Sequence, residues 1–169
     1  SKNMALLEIL KYPDPRLHKI AETVDVFDES TERLVKDMAE TMYESKGIGL
    51  AATQVDVHQR IIVIDISDDK KDLLVLINPK LIKFDGQQEY DEGCLSVPGF
   101  FETVKRYENI TISYQDLKGN LHTVDADGLL SVCIQHEMDH LVGKVFVEYL
   151  SQLKQQRIKK KISKLSRAN

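Results

Sequence analysis

The pattern of apolar and polar residues predicts a first long helix between Asp28 and about Lys46. The apolar residues of this segment recur at the three- and four-residue spacing of one helix face. They are Leu34, Val35, Met38 and Met42. Acidic and hydroxyl residues precede them, and Gly47 is placed to end the helix. Upstream, Asp14 followed by Pro15 predicts a short helical turn, because proline fits the first position of a helix.

Short apolar runs farther along the chain predict strands of an antiparallel sheet. The runs "RIIVIDI" (60–66) and "LLVLINP" (73–79) are rich in branched aliphatic residues and are separated by a polar segment. Segment 110–126 predicts a hairpin with "KGN" (118–120) at its turn, since glycine and asparagine accept the backbone conformations of tight turns. The order of these elements shows no regular alternation of strand and helix, so a parallel sheet is not expected.

The most apolar helix is predicted from Gly128 to Gly143, with Asp127 as its cap. Its first half is apolar around almost the whole helix, which is typical of a central, buried helix. A last amphipathic helix is predicted within residues 151–169. Its apolar residues are Ile158, Ile162 and Leu165. The sequence therefore predicts an α+β fold, with mostly antiparallel sheets around a buried central helix and an amphipathic helix at the C-terminus.

The composition is typical of one globular domain. The chain has 169 residues, of which 42% are apolar and 30% charged, and no repeat or long linker divides it, so we expect a single domain over residues 1–169. It has no run of about 18 apolar residues and no secretory signal at its start, so we expect a cytoplasmic protein. We interpret Met4 as the natural first residue and Ser1–Asn3 as residues added by cloning.

Charge and cysteine content single out two further features. The chain has a net charge of −4, but residues 151–169 carry seven Lys/Arg and no Asp/Glu, so the other residues carry a net −11. This basic segment is either a solvated helix face or a surface for an anionic partner. The two cysteines, Cys94 and Cys133, are expected to be free, metal-bound or catalytic rather than paired.

The stretch "HEMDH" (136–140) carries the strongest chemical signal. Residues four apart lie about 6 Å apart along a helix axis, so His136 and His140 can bind one metal ion. Glu137 completes the H-E-x-x-H arrangement, in which a glutamate handles the protons of a metal-activated water. The alternative is a pair of helical histidines that only form hydrogen bonds.

The residues after this stretch do not supply a third metal ligand. Phe146 stands where a related zinc-protease pattern has a third histidine. An ion between the histidines would lie roughly 7 Å along the axis from Cys133, beyond the about 5 Å that a cysteine reaches, so we interpret Cys133 as a core residue. Cys94 follows Gly93, which allows close backbone approach, and its thiolate could bind zinc or iron(II). An ordinary buried cysteine explains Cys94 equally well.

A glycine-rich segment, "GIGLAATQ" from Gly47 to Gln54, follows the first helix. It lacks the G-K-[ST] ending of a phosphate-binding loop. Its glycines allow a substrate backbone to lie alongside, and Gln54 could donate an N–H to a developing oxyanion. A tight turn into a buried segment explains the same residues.

Three stretches together, "GIGLAATQ", "EGCLS" and "QHEMDH", closely resemble the signature motifs of bacterial peptide deformylases in order and separation. The resemblance continues through "LINP", "ADGLL" and "YLSQLKQQRI", and so covers nearly all of residues 4–169. It is similar to the enterobacterial type that carries a C-terminal helix. The resemblance implies hydrolysis of a linear amide bond, in which the formyl group of an N-terminal formylmethionine leaves as formate.

The resemblance also implies a role for each matching residue. The implied metal ligands are Cys94, His136 and His140, with water as the fourth ligand. Glu137 is implied to take the proton of that water and pass it to the leaving amine, while the Gln54 side chain and the Leu95 main-chain N–H hold the oxyanion. The implied backbone partners of the substrate are Ile48, Gly49 and Gly93. The implied methionine pocket consists of Ile48, Leu129, Val132, Cys133 and His136.

Metal and partners follow from the same resemblance. Ligand chemistry alone favours zinc in a Cys-His-His-water site. The family instead implies one iron(II) ion per chain, with zinc, nickel or cobalt able to occupy the site in purified protein. The implied partners are N-formylmethionyl nascent peptides and, through the basic C-terminal helix, the ribosome near its exit tunnel. We expect a monomer that binds neither DNA nor membranes.

Four residues depart from the expected family pattern or bear on it weakly. Tyr90 and Asp91 precede "EGCLS" where an aliphatic and an acidic residue are expected. Phe100 and Phe101 stand where a basic residue often helps to bind the peptide backbone, so the pocket shape and the downstream preference stay open. Two other functions compete with deformylation: a zinc endopeptidase of the H-E-x-x-H type, and a structural Cys₂His₂ zinc domain that uses Cys133.

Overall fold

The computed structural model describes residues 6–168, so the predictions about Ser1–Asn3 and Met4 lie outside the described residues. The α-helices are α1 (Glu29–Glu44), α2 (Gly128–Leu141) and α3 (Gln152–Ala168). The strands are β1 (Gly49–Ala51), β2 (Ile61–Ile64), β3 (Leu74–Asp85), β4 (Gln88–Cys94), β5 (Val97–Arg106), β6 (Asn109–Gln115) and β7 (Leu121–Ala126). Short 3₁₀ helices cover Pro15–His18, Ala52–Val55 and Phe146–Tyr149.

The strands form two antiparallel sheets, which confirms the predicted α+β class. One sheet has five strands in the order β1-β2-β3-β6-β7, and β4 pairs with β5 in a separate two-stranded sheet. Side chains alternate between the faces of a strand. On β2, Ile62 and Ile64 belong to the apolar cluster around α2, whereas Ile61 and Val63 belong to the cluster around α1. Strand β2 is apolar throughout because a helix covers each of its faces.

Helix α1 begins where the sequence predicts. The Asp28 side chain accepts hydrogen bonds from the backbone N–H groups of Ser30 and Thr31 at 3.0 and 3.3 Å. The prediction for its end is less accurate, because the chain leaves the helix at Lys46, which has a φ of 59°. Gly47 serves a packing role instead: a Cβ there would lie 2.6 Å from Cδ1 of Leu95.

Helix α2 is the predicted central helix. Its inner residues pack against the five-stranded sheet in a shared apolar cluster that includes Cys133, Ile134 and Leu141. Asp127 is the N-cap residue, although its side chain makes no capping hydrogen bond. Gly143 ends the helix as predicted, with a φ of 81°, and a Cβ there would lie 2.5 Å from the carbonyl oxygen of His18.

The hairpin formed by β4 and β5 was not predicted from the sequence. Leu95 and Ser96 form the two-residue connection between its strands, and β4 carries mostly polar residues. A strand with few apolar residues lacks the alternating pattern by which strands are recognised. Strand β1, only three residues long, was missed for the related reason that a short buried segment has no measurable period.

Helix α3 packs its Ile158 and Ile162 into a third apolar cluster with Tyr12, Val97 and Phe146. Leu165, predicted to share that face, is exposed and does not belong to the cluster. No helix among residues 6–168 is long and apolar enough to cross a lipid bilayer.

Candidate active site

Three potential metal ligands from two separate elements meet at one point. Cys94 lies at the end of β4, while His136 and His140 lie one turn apart on α2. Their ligand atoms all lie within 4.8 Å of one another, and Sγ of Cys94 is 3.4 Å from Nε2 of His140. Tetrahedral ligands at about 2.1–2.3 Å from an ion are about 3.4–3.7 Å apart, so this group fits a metal of that size.

A buried carboxylate orients His136. Nδ1 of His136 lies 2.8 Å from Oε1 of Glu92, which leaves Nε2 free to bind a metal. Arg106 donates to both oxygens of Glu92, from Nε at 2.7 Å and from Nη2 at 2.9 Å. Burial acts to raise the pKa of Glu92, but the hydrogen bonds from Arg106 and His136 outweigh it and hold that pKa below its ordinary value. Glu92 therefore stays ionised and fixes the imidazole, as the second layer of a metal site does.

Arg106 connects this network to Asp139, another residue of α2. Its Nη1 donates to Oδ2 of Asp139 at 2.7 Å, and the same oxygen accepts a hydrogen bond from the Tyr149 hydroxyl at 2.8 Å. Neither Glu92 nor Arg106 was predicted from the sequence to belong to the site. Glu92 could have been suspected, because it lies two residues before Cys94 in the "EGC" motif. Arg106 carries no such signal, since its partners are distant in sequence.

Phe146, the residue found in place of a third histidine, is fully buried. Its ring centroid lies 5.8 Å from that of His136, and its side chain belongs to the apolar cluster beneath α3. Phe146 therefore supports one face of a ligand ring instead of binding metal itself.

His140 is more deeply buried than His136. Its Nδ1 has no hydrogen-bond partner among the described residues, and its Nε2 points toward Cys94. Burial lowers the pKa of His140 well below its ordinary value. The ring is therefore neutral, which is the form that binds a metal.

Glu137 lies beside the ligands with a carboxylate that is buried and incompletely satisfied. Its Oε1 has no hydrogen-bond partner within residues 6–168, and burial raises its pKa to about 7. Gly49 of β1 lies directly against this group, because a Cβ there would be 2.6 Å from Oε2. A carboxyl group with a pKa near neutrality can both accept and donate a proton.

The amide N–H groups of Gln54 point toward Cys94 and Ser96. Its Oε1 accepts a hydrogen bond from the Ala51 N–H at 2.9 Å, which fixes the orientation of the amide. Its Nε2 then lies 3.1 Å from Oγ of Ser96 and 3.5 Å from Sγ of Cys94. The side chain is buried in the 3₁₀ helix after β1, so it presents a preorganised donor. Leu95 follows Cys94 in the β4–β5 connection.

A cavity of about 410 Å³ opens beside these groups. The predicted site residues that line it are Ile48, Gly49, Gln54, Gly93, Cys94, Leu95, Leu129, Val132, Cys133, His136 and Glu137. His140 does not line the cavity. It reaches the ligand group from the buried side of the site. The residues selected from the sequence therefore lie around one site, although they come from three separate segments of the chain.

Cys133 lines the cavity without joining the ligand group. Burial raises the pKa of its thiol to about 12, and its sulfur is absent from the cluster formed by Cys94, His136 and His140. A protonated thiol is a poor metal ligand, because the thiolate is the ligating form. The structural Cys₂His₂ alternative therefore lacks its fourth ligand.

The residues that depart from the expected family pattern do not lie together. Tyr90, Asp91 and Phe101 line the cavity. Phe100 instead packs against the cluster beneath α3, with Nζ of Lys161 5.9 Å from its ring centroid. The sequence left the effect of these four residues on the pocket open, and Phe100 lies away from it because successive residues of β5 point to opposite faces.

Comparison with known proteins gives a consistent result. Residues 6–156 match the sequence model of the family described as polypeptide deformylase. The chain is 60% identical over 168 residues to "Peptide deformylase 1" of Burkholderia multivorans, covering 99% of this chain and 93% of that protein. A crystal structure of a peptide deformylase from Legionella pneumophila matches with a TM-score of 0.93 and 46% identity, covering 97% of both chains. A peptide deformylase of Ehrlichia chaffeensis, crystallised in complex with actinonin, matches with a TM-score of 0.93 and 40% identity over 97% of this chain and 99% of that one.

Proposed function

This chain belongs to the polypeptide deformylase family, and from that premise we propose how its residues carry out the family's reaction. The protein is a hydrolase that removes the N-formyl group from nascent peptides. The observation that most directly supports the roles proposed below is the meeting of Cys94 with His136 and His140.

The three meeting side chains would hold one divalent ion per chain. Enzymes of this family are metal-dependent. We assign iron(II) as the physiological ion, with zinc, nickel or cobalt able to occupy the site in purified protein. A thiolate with two neutral imidazoles suits these borderline ions better than magnesium or calcium. When bound, the ion would supply Lewis-acid polarisation of the formyl carbonyl and would make the attacking water more acidic.

Glu137 is the proposed proton carrier. Its pKa of about 7 lets it accept a proton from the attacking water and return that proton to the departing amine. The space left by Gly49 allows the carboxylate to lie at the cavity wall, where both groups can be reached.

Gln54 and the main-chain N–H of Leu95 are the proposed oxyanion donors. The Gln54 amide is already oriented by its bond to Ala51, so little reorganisation is needed as negative charge develops on the formyl oxygen. Leu95 holds its position through its side chain, which fills the space above Gly47.

The peptide substrate would lie as an extra strand across the cavity. Strand β1 is the edge of the five-stranded sheet, and β4 is an edge of the β4–β5 hairpin. We assign three residues as backbone hydrogen-bonding partners of the peptide: Ile48 and Gly49 beside the β1 edge, and Gly93 on the β4 edge. The methionine side chain would then enter the apolar part of the cavity on the α2 side. That part consists of Ile48, Leu129, Val132, Cys133 and His136.

Formate release tests the reaction. Freshly purified protein, loaded with iron(II) without oxygen, should release formate from formyl-Met-Ala-Ser and should leave casein intact. The endopeptidase alternative predicts the reverse result. Removal of the ion with a chelator should abolish formate release, and re-addition of iron(II) or nickel should restore it.

Helix α3 is the proposed contact with the ribosome near its exit tunnel. Its exposed basic residues include four at spacings of three and four, which places them on one helix face. These are Arg157, Lys160, Lys164 and Arg167. Ile158 and Ile162 are buried on another face of the helix, so the basic face is free to meet phosphate groups.

A charge variant tests this contact better than a truncation, because removal of α3 would also expose the apolar cluster that includes Val97. Substitution of Arg157, Lys160 and Lys164 by Gln should weaken co-sedimentation with ribosomes and reduce its salt dependence. Formate release from a short peptide should not change. Unaltered co-sedimentation would remove α3 from this role.

The remaining assignments concern the whole chain. We propose a single catalytic domain over residues 1–169 that acts as a monomer in the cytoplasm, where formylated nascent chains are made. Sedimentation equilibrium at micromolar concentration should give the mass of one chain, 19.3 kDa.

A further inference from the structure

Phe101 is an exposed aromatic side chain on the wall of the active-site cavity. It is 71% exposed, compared with 41% for Tyr90, the other aromatic residue of the lining. Single exposed apolar side chains are common on protein surfaces, and what distinguishes Phe101 is its place in the lining of the cavity. The catalytic roles proposed above do not use Phe101.

The position of the ring is defined by Gly93. A Cβ at Gly93 would lie 2.5 Å from Cε1 and 2.9 Å from Cδ1 of Phe101, so the ring covers this glycine directly. Gly93 interrupts the regular pairing of β4 with β5, between the pairs Glu92–Glu102 and Cys94–Val97. The ring therefore lies against the backbone proposed to bind the substrate.

Phe101 lies on the exposed face of the β4–β5 hairpin, opposite to the face that packs against the protein core. Phe100, the preceding residue, packs against the apolar cluster beneath α3. Phe101 points to the other face, because side chains alternate along a strand. Asp91 shares the outward side and accepts a hydrogen bond from the Thr103 hydroxyl at 2.5 Å.

The same alternation applies to a peptide that lies along β4. If the first side chain, methionine, points inward to α2, the side chain of the second residue points outward. The outward side beside Gly93 is where the Phe101 ring lies. The side chain of the second substrate residue is therefore the one that contacts the Phe101 ring.

We propose that Phe101 is a specificity-determining residue that favours formylated peptides with a large apolar second residue. The proposal rests on the proposed function, since it takes the direction of the peptide from the catalytic site. Partial burial of an apolar side chain against an exposed ring should favour leucine or phenylalanine over alanine by about 3- to 10-fold in kcat/KM. An acidic second residue should be disfavoured, because it meets the ring and the carboxylate of Asp91.

The test uses metal-loaded full-length protein and the peptides formyl-Met-Xaa-Ser, with Ala, Leu, Phe or Asp as Xaa. Formate release is measured for the unaltered chain, Phe101→Ala, Phe101→Leu and Phe84→Ala. Phe84 is a matched control, because it is 55% exposed and stacks on Tyr107 outside the cavity. The unaltered chain and Phe84→Ala should prefer Leu and Phe, mainly through lower KM.

Phe101→Ala should lose the preference for Leu and Phe, so that these two peptides have a kcat/KM close to that of the Ala peptide. Phe101→Leu should retain part of that preference. The proposal is overturned if the unaltered chain shows no preference, if Phe101→Ala keeps it, or if that variant slows all four peptides equally. Absence of formate release from every peptide by the unaltered chain would instead overturn the proposed function.

Discussion

The active-site cavity has one wall on helix α2 and another on the β4–β5 hairpin, and the two walls differ in burial and in polar contacts. On α2, the functional groups of His136, Glu137 and His140 are almost completely buried. On the hairpin, Tyr90, Asp91 and Phe101 are exposed to solvent. Proton transfer and charge stabilisation need fixed dipoles and little water, whereas a surface that meets many different nascent chains must stay accessible. Substitutions on the α2 side should slow all peptides alike, while those on the exposed side should change only the relative rates.

The largest effect is expected at Glu137. Glu137→Gln should lower kcat by roughly 10³-fold or more for every peptide, because the proton carrier is lost while the metal ligands remain. Metal content, measured by atomic absorption, should be unchanged. A variant that kept its metal and nearly normal kcat would take Glu137 out of the mechanism and weaken the contrast between the walls.

Gln54 should give the next largest effect. Gln54→Ala removes a preorganised donor and should lower kcat by about 10²-fold with little change in KM. Because the Ala51 N–H also loses its acceptor, a moderate fall in the melting temperature is expected. Normalising kcat to the folded fraction, measured by circular dichroism, decides the role, because loss of folded protein would also lower the apparent kcat without changing KM.

Arg106 tests the polar network behind the α2 wall. Arg106→Met leaves the buried Glu92 carboxylate without its arginine partner and with only the His136 hydrogen bond, which should lower the free energy of unfolding by about 3–5 kcal/mol. Looser positioning of His136 should weaken metal affinity by about 10- to 100-fold, as measured by competition with a chelator. The double variant Arg106→Met with Glu92→Gln should recover part of the unfolding free energy. If it recovers none, the loss does not come from the unpaired charge.

The smallest effect is expected on the outward side of the hairpin. Thr103→Ala removes an exposed hydrogen bond to Asp91 and should change the free energy of unfolding by less than about 0.5 kcal/mol. Formate release from formyl-Met-Ala-Ser should stay the same. A large loss of stability or activity would show that this side is not the tolerant surface that its exposure indicates.

The two walls also differ in how far the sequence predicts them. The i, i+4 spacing of His136 and His140 is local and fixed by helix geometry, so it can be read from five residues. The position of Cys94 depends on how the hairpin docks on α2, and spacing alone left it undecided until the resemblance of three motifs was considered. The roles of Glu92 and Arg106 were not predicted, because their contacts also join distant parts of the chain.

The prediction of the fold shows the same limit. Helices α1 and α3 were predicted from the period of their apolar residues, α2 from its apolar run between Asp127 and Gly143, and the β6–β7 hairpin from its turn residues. Strands β4 and β5 were missed, since polar residues dominate β4. The separate directions of Phe100 and Phe101 could not be predicted before β5 was known to be a strand, because only a strand sends adjacent side chains to opposite faces.

The origin of the three proposed ligands links catalysis to assembly of the fold. Cys94 and His140 are 46 positions apart in the chain, one in the two-stranded sheet and the other in the helix packed on the five-stranded sheet. An ion bound to both would act as a cross-link, and mass action would stabilise the docked arrangement by an amount that rises with the logarithm of the ion concentration. The apoprotein should therefore unfold at a lower temperature and exchange the amide hydrogens of β4 faster. Loss of the ion would in this way loosen the substrate-binding edge at the same time as it stops the chemistry.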